Sequence, residues 1–72
     1  MNEWVEQYTN SQIEDFIDEY VRSRRDRMIM RDRLVNGFRY EPLAEKYDIS
    51  VSQVKRIVKK HGEVIWSQIA QK

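Results

Sequence analysis

The fold of this chain is decided by residues 40–60, which read Tyr-Glu-Pro-Leu-Ala-Glu-Lys-Tyr-Asp-Ile-Ser-Val-Ser-Gln-Val-Lys-Arg-Ile-Val-Lys-Lys. Apolar side chains recur at spacings of three and four residues, first around Leu43 and then around Val54, so two short helices are predicted. Ser50 and Gln53 have the spacing of a capping box, which satisfies two amide donors at the start of the second helix. The stretch therefore predicts a helix, a tight turn and a second helix.

The inner and outer faces of these two helices follow from the same spacing. Ala44 leaves room for a close helix crossing because its side chain is short, and Ile49 is expected to plug the turn. The other side chains expected to face inward are Leu43, Tyr47, Val54, Ile57 and Val58. The second helix then turns a polar, cationic face to solvent, made of Ser52, Lys55, Arg56 and Lys59.

This stretch, with its lead-in at 34–37, resembles the helix-turn-helix of DNA-binding regulators. Residues 36–47 look most like small phage and mobile-element regulators, such as phage middle-operon activators. They are also similar to the last DNA-reading domain of bacterial sigma factors. One departure is Asp48, where the family usually has Gly; Asp tolerates the left-handed backbone better than most residues, so the turn is expected to survive. Pro42 is expected in the first turn of its helix, where no amide donor is lost.

The resemblance implies sequence-specific binding of double-stranded DNA by a transcriptional regulator, with residues 51–60 as the recognition helix in the major groove. Ser52, Lys55 and Arg56 are then the candidates for base edges, because the two cations suit the acceptors of guanine. Val51 is a candidate for contact with a thymine methyl group. Phosphate contacts are expected from Arg39, Tyr40, Gln53, Lys59 and Lys60.

Length and composition predict one small all-α domain over residues 1–72, a bundle of four to five short helices. The 72 residues include only two glycines and one proline. The absence of cysteine excludes disulfides and thiolate metal sites and is compatible with the cytoplasm, where we expect the protein. No apolar run is long enough for a membrane span, and residues 1–7 lack the features of a secretory signal.

Charge is strongly segregated along the chain, although the formal net charge is only +1. Residues 1–21 carry six acidic side chains and no basic one, whereas residues 22–72 carry all thirteen basic side chains against six acidic ones. This split is typical of a domain with a polyanion-binding surface, and solubility patterning is the alternative.

The acidic N-terminal region, residues 1–21, is expected to contain a helix opened by a capping box at Ser11 and Glu14. Before it, Trp4 is expected to pack against the domain's own helices, with a dimer seam as the alternative. The apolar stripe of this helix is Ile13, Phe16, Ile17, Tyr20 and Val21. The solvent-exposed face of this helix is acidic, so the helix is expected to support the core rather than to contact phosphates. The alternatives are that this face contacts a protein partner such as RNA polymerase, or that it shields the basic face.

Residues 22–35 are basic and leave two alternatives open. Ser23 and Asp26 predict the cap of a new helix, whereas one long bent helix fits the periodicity equally well. Asn36 and Gly37 are expected to end it, Gly37 as a left-handed cap, with Phe38 folding back on it. Four arginines are expected to be exposed, either as phosphate contacts or in surface ion pairs: Arg24, Arg27, Arg31 and Arg33.

Gly62 is expected to stop the second motif helix and to separate it from a C-terminal helix over residues 63–71. An uninterrupted helix through Gly62 is the alternative, at a cost of about 1 kcal/mol relative to Ala. The apolar face of the last helix is expected to pack within the chain, with a two-fold interface, and so a homodimer, as the alternative.

Catalysis is not expected, because it needs a nucleophile with a base, a metal site or paired carboxylates in a cleft. The one histidine, His61, has no ligand partners at suitable spacing and is expected at a helix end or near a phosphate. No cofactor or metal is therefore predicted. Two alternatives to a regulator remain: a protein-interaction module that has a helix-turn-helix shape, and an accessory protein for DNA packaging or excision.

Overall fold

Four α-helices and one short 3-10 helix form the fold in the computed structural model, which describes residues 3–70. Those residues contain no strand, so the predicted all-α class is confirmed. In chain order the elements are the 3-10 helix Glu3–Gln7, α1 Asn10–Tyr20, α2 Arg24–Leu34, α3 Tyr40–Tyr47 and α4 Val51–Ile69.

Helix α1 begins earlier than its sequence indicated, because a different residue pair caps it. The hydroxyl of Thr9 accepts a hydrogen bond from the Gln12 amide at 3.1 Å, and the Gln12 side chain accepts one from the Thr9 amide at 2.9 Å. The expected pair, Ser11 and Glu14, lies inside the helix instead. Both pairs have the spacing of a capping box, but Thr9 has the extended backbone that a cap requires.

Helices α1 and α2 are separate, so the expectation of a newly capped helix is confirmed over one long bent helix. The chain is extended at Val21, and the Ser23 hydroxyl accepts a hydrogen bond from the Asp26 amide at 3.3 Å. This break turns α2 back onto α1, where Arg31 pairs with Glu14 and Asp18.

The core is assembled from one apolar face of each element. Trp4 is buried in it, which confirms that this indole packs against the domain's own helices, and its ring meets Tyr8 and Phe16 edge-on. Helix α4 packs against all three other α-helices, so its buried stripe is the centre of the core. The buried apolar residues are Trp4, Ile13, Ile17, Val21, Ile29, Met30, Leu43, Ala44, Val54, Val58, Ile65 and Ile69.

Helix α4 runs without interruption through Gly62, so the prediction of a stop at that residue is wrong. Gly62 is buried on the same face as Val58 and Ile65, because the apolar repeat stays in phase across it. Burial of these side chains outweighs a glycine penalty of about 1 kcal/mol. The separate helix expected over 63–71 is therefore the C-terminal half of α4, which packs within the chain as expected; its last residue lies outside the described range.

The end of α2 is only partly as expected. Gly37 has φ of +76° and provides the left-handed cap. Phe38 does not fold back into the core, since 38% of it is exposed. Its amide donates to the carbonyl of Asp32 at 3.0 Å and its carbonyl accepts from Arg33 at 2.9 Å, so the backbone of Phe38 fastens this loop, while Nζ of Lys46 lies 5.3 Å from the centroid of its ring.

The turn between α3 and α4 stores backbone strain at Asp48, which is left-handed with φ of 56°. Asp48→Gly is expected to raise the free energy of unfolding by about 0.5–1 kcal/mol, because glycine adopts this conformation without steric cost. Asp48→Ala is the matched control and is expected to lower it, since alanine keeps a Cβ and lacks the tolerance of Asp. Urea denaturation followed by circular dichroism measures both; equal effects of Gly and Ala would contradict the strain.

Candidate nucleic-acid interface

Helix α3, residues 48–50 and helix α4 lie where the sequence predicted a helix, a turn and a second helix. The amide of Ile49 donates to the carbonyl of Ala44 at 3.0 Å, closing the end of α3. Ser50 and Gln53 form the expected capping box, each side chain accepting from the other residue's amide at 3.1 and 2.9 Å. Ala44 is buried where the helices pack, as its size predicted. The two helices are therefore held in a fixed relation at the N-terminus of α4.

The outer face of α4 is polar and cationic over its N-terminal half. An α-helix turns about 100° per residue, so Ser52, Arg56 and Lys59 lie roughly opposite the buried Val54 and Val58. All three are exposed, and no carboxylate of residues 3–70 forms an ion pair with the cations of this face. The exposed cations of this helix are Lys55, Arg56, Lys59 and Lys60.

The cationic face ends at the next turn of α4, where a shallow depression begins. The depression is lined by Arg56, Lys59, Lys60, Glu63, Val64 and Ser67. The carboxylate of Glu63 introduces the opposite charge, so the cationic face of α4 is confined to the N-terminal part of that helix.

Three of the other residues predicted for this interface are already engaged within the domain. Val51 is half-buried and packs against the core, which leaves only part of it for a thymine methyl. The side-chain oxygen of Gln53 accepts the cap hydrogen bond from Ser50, so only its amide nitrogen is free to donate. Tyr40 is half-buried, while Arg39 is exposed at the N-cap of α3 without a side-chain cap hydrogen bond.

The arginines of α2 have different roles that the sequence did not separate. Arg27 donates to the carbonyls of Val21 and Arg22 at 3.0 and 2.8 Å, and Arg31 pairs with the acidic side chains of α1. Both therefore fasten α2 to the N-terminal part of the chain. Arg33 instead lies over the ring of Tyr40, 4.4 Å from its centroid, and joins the surface of α3 and α4.

Asp32 fastens α3 to α2 and so positions the interface. Its carboxylate is buried and accepts hydrogen bonds from Lys46 at 2.8 Å, Tyr47 at 2.6 Å and Asn36 at 3.1 Å. Burial raises the pKa of Asp32, but these hydrogen bonds outweigh it and hold the pKa below its usual value. The hydrogen bond to Asp32 raises the pKa of Lys46, and burial together with Asp32 raises that of Tyr47. Lys46 and Tyr47 are 14 and 15 positions away in the chain, so the local pattern did not indicate this role for Asp32.

His61 is not at a helix end, so that part of its prediction is wrong, while proximity to a phosphate stays a prediction. It lies within α4, and its Nε2 is 2.8 Å from Oδ2 of Asp26 at the start of α2. Both side chains are largely buried, with 12% and 14% exposed. Because α4 continues beyond Gly62, His61 lies inside the helix rather than at its end, and there its side chain contacts α2.

The acidic face of α1 does not cover the cationic face of α4. Glu14 and Asp18 pair with Arg31 of α2, and no described carboxylate of α1 pairs with a cation of α4. Shielding of the basic face by α1, one of the alternatives from the sequence, is therefore not seen in the described residues.

Comparison of the chain with protein-family models, with curated proteins and with solved structures finds no match. No helix over residues 3–70 has the length and apolar character needed to cross a membrane. The same part of the chain brings together no group of three or more histidine or acidic side chains that could hold a metal ion.

Proposed function

We propose that this chain binds double-stranded DNA with sequence preference and acts as a transcriptional regulator of the phage or mobile-element type. The observation that carries the proposal is the outer face of α4, exposed, cationic and free of described ion pairs opposite a fully apolar stripe. An α-helix with its side chains is about 10–12 Å across, which suits the roughly 12 Å width of the major groove.

The exposed residues along α4 differ in the DNA groups that they suit. Arg56 projects farthest from the buried stripe and suits the two acceptors of guanine, with Ser52 one turn before it able to donate or accept at a neighbouring base. Lys59 and Lys60 on α4 and Arg39 at the N-cap of α3 are exposed, and all three suit phosphates. Phosphate contacts supply affinity and orientation, whereas the base contacts supply preference.

Arg56→Ala is expected to weaken binding to the preferred duplex by about 1–3 kcal/mol and to relax one base position. Lys60→Ala is the matched control, since it removes one cation from the same helix. It is expected to weaken binding to duplexes of all sequences equally and to reduce the salt dependence of binding. Titration of preferred and unrelated duplexes at several salt concentrations measures both. An Arg56→Ala protein with unchanged affinity and preference would contradict the placement of α4 in the groove.

Selection of bound duplexes from a random pool tests the proposal as a whole. A regulator is expected to enrich a defined sequence, and salt-sensitive binding without enrichment would point to an accessory protein that binds DNA as architecture. No binding at low salt would favour a protein-interaction module instead. The acidic face of α1, with exposed Asp15, Asp18 and Glu19, is the surface that such a module would present, and RNA polymerase is one candidate partner.

Two copies of the chain are part of the proposal. A single recognition helix covers only a few base pairs, so useful preference usually requires a dimer on a two-fold site. The C-terminal half of α4 exposes Val64 and Trp66, which are available for such an interface. The enriched sequence should therefore contain an inverted repeat, and sedimentation with and without the duplex gives the number of copies bound.

A further inference from the structure

Tyr40 holds two cations from different helices against one aromatic ring. The guanidinium carbon of Arg33, near the end of α2, is 4.4 Å from the ring centroid, and the ammonium nitrogen of Lys55 on α4 is 5.6 Å from it. Both distances lie in the range of attractive cation–π contacts. Arg33 precedes Tyr40 by seven positions and Lys55 follows it by fifteen, so residues of three helices form one cluster at the start of α3.

The guanidinium of Arg33 is fixed rather than free to move away. Its Nη1 donates to the carbonyl of Phe38 at 2.9 Å, in the loop that leads into α3. That hydrogen bond and the contact with Tyr40 set its position from two sides. The remaining guanidinium donors are left for a further acceptor, because an arginine has five N–H groups.

No described carboxylate neutralises this pair of cations. Arg25, Arg31 and Lys46 each pair with an acidic side chain, whereas neither Arg33 nor Lys55 forms an ion pair within residues 3–70. Cations held beside one ring without a described carboxylate partner favour a nearby anion. Phosphate oxygens accept from guanidinium and from ammonium donors, so the phosphates of a nucleic-acid backbone suit this arrangement.

The position of Lys55 on α4 separates it from Arg56. Lys55 is about 100° around the helix from the buried Val54, whereas Arg56 is about 200° away. Lys55 therefore lies at the border of the outer face, drawn towards Tyr40 of α3, while Arg56 points away from the domain.

We propose that Arg33, Tyr40 and Lys55 form one phosphate-binding cluster that holds the sugar–phosphate backbone beside the groove entered by α4. This inference rests on the proposed function and assigns Lys55 to the backbone rather than to a base edge. Arg33 joins the interface as a second phosphate contact. Tyr40 is a positioning residue that keeps the two cations together before DNA arrives.

The test compares Arg33→Gln, Lys55→Gln and the double variant with Arg24→Gln, which removes an exposed arginine from the other end of α2. Binding to the selected duplex and to an unrelated duplex is measured over a series of salt concentrations. Each single variant is expected to weaken binding to both duplexes by the same factor and to reduce the slope of log K against log salt by about 1. The double variant is expected to reduce that slope by about 2. Arg24→Gln is expected to leave the slope unchanged.

Tyr40→Phe and Tyr40→Leu test the positioning role separately. Tyr40→Phe keeps the aromatic face, and this variant is expected to bind both duplexes as the unsubstituted chain does. Tyr40→Leu fills the site without a π-system, and this variant is expected to bind both duplexes more weakly and to the same extent. In the DNA-free protein, the upfield ring-current shift of the Lys55 methylene protons is expected to persist in Tyr40→Phe and to disappear in Tyr40→Leu. Equal binding by the Leu and Phe variants would overturn the positioning role.

The outcomes distinguish this inference from the function on which it rests. If the unsubstituted chain binds DNA and Lys55→Gln changes the preferred base at one position, Lys55 reads a base and the cluster is overturned. If Arg33→Gln has no more effect than Arg24→Gln, Arg33 does not contact the backbone and the cluster is also overturned. Failure of the unsubstituted chain to bind any duplex at low salt would instead overturn the proposed function.

Discussion

Ile65→Ala is expected to lower the free energy of unfolding by about 2–5 kcal/mol, the range for truncating a buried aliphatic side chain to alanine. Ile65 is 0% exposed and lies on the central stripe of α4, which packs against the three other α-helices. The alanine leaves a cavity that the neighbouring helices cannot close without losing their own contacts. Urea denaturation followed by circular dichroism measures the loss.

Val64→Ala is the matched control, because it truncates the adjacent residue on the same helix and Val64 is 40% exposed. Its effect is expected to stay within about 0.5 kcal/mol. Since small domains are stable by only about 5–15 kcal/mol, Ile65→Val is a milder second variant, with an expected cost of about 0.5–1.5 kcal/mol. Equal losses at the two adjacent positions would contradict the continuation of α4 through Gly62.

Asp32→Asn is expected to lower the free energy of unfolding by about 1.5–3 kcal/mol at neutral pH, the usual contribution of hydrogen bonds to a charged group. We assign the largest part of this loss in free energy of unfolding to the hydrogen bond from Tyr47, a half-buried residue whose hydroxyl is 2.6 Å from the carboxylate. Lys46 contributes less than its 2.8 Å distance suggests, since its side chain is 45% exposed and water screens the ion pair. Denaturation of both proteins at neutral pH gives the difference.

The same substitution is expected to matter less in acid. The pKa of Asp32 is lower in the folded protein than in the unfolded chain, so its carboxylate stabilises the fold fully at pH values above the unfolded pKa. That contribution is lost as the pH falls through the unfolded and then the folded pKa, and the two proteins should converge there. Glu45→Gln, which removes an exposed charge from α3, is the control; a difference that grows in acid would contradict the assignment.

Much of the candidate interface is readable from local pattern. The alternation of apolar and cationic residues in 51–60 predicts which side of α4 is exposed to solvent. The capping-box spacing of Ser50 and Gln53 predicts where that helix begins. Both rest on interactions within one or two helical turns. The choice of Ser11 as a cap failed for a related reason, because Thr9 offers the same local chemistry two residues earlier.

Contacts between distant residues were not readable in this way. The pairing of His61 with Asp26, the hydrogen bonds that Asp32 accepts from α3, and the placement of Arg33 over Tyr40 all join different helices. Periodicity describes a face of one helix but not the neighbour that the face meets. Four of the five arginines of α2 therefore looked equivalent in the sequence, although Arg33 lies against Tyr40 of α3 while Arg27 and Arg31 face the N-terminal part of the chain.

By itself, the sequence determined the helical class, the turn between α3 and α4 and the cationic character of the second helix, because these follow from residue type, capping chemistry and spacing along a few turns. Only the tertiary structure decided that α4 continues through Gly62 and that Arg33 and Lys55 share one ring. The physical reason is that the free energy gained by burying an apolar stripe is summed over the whole packed helix. That total outweighs a local penalty at one glycine. The same packing places side chains that are far apart in the chain side by side.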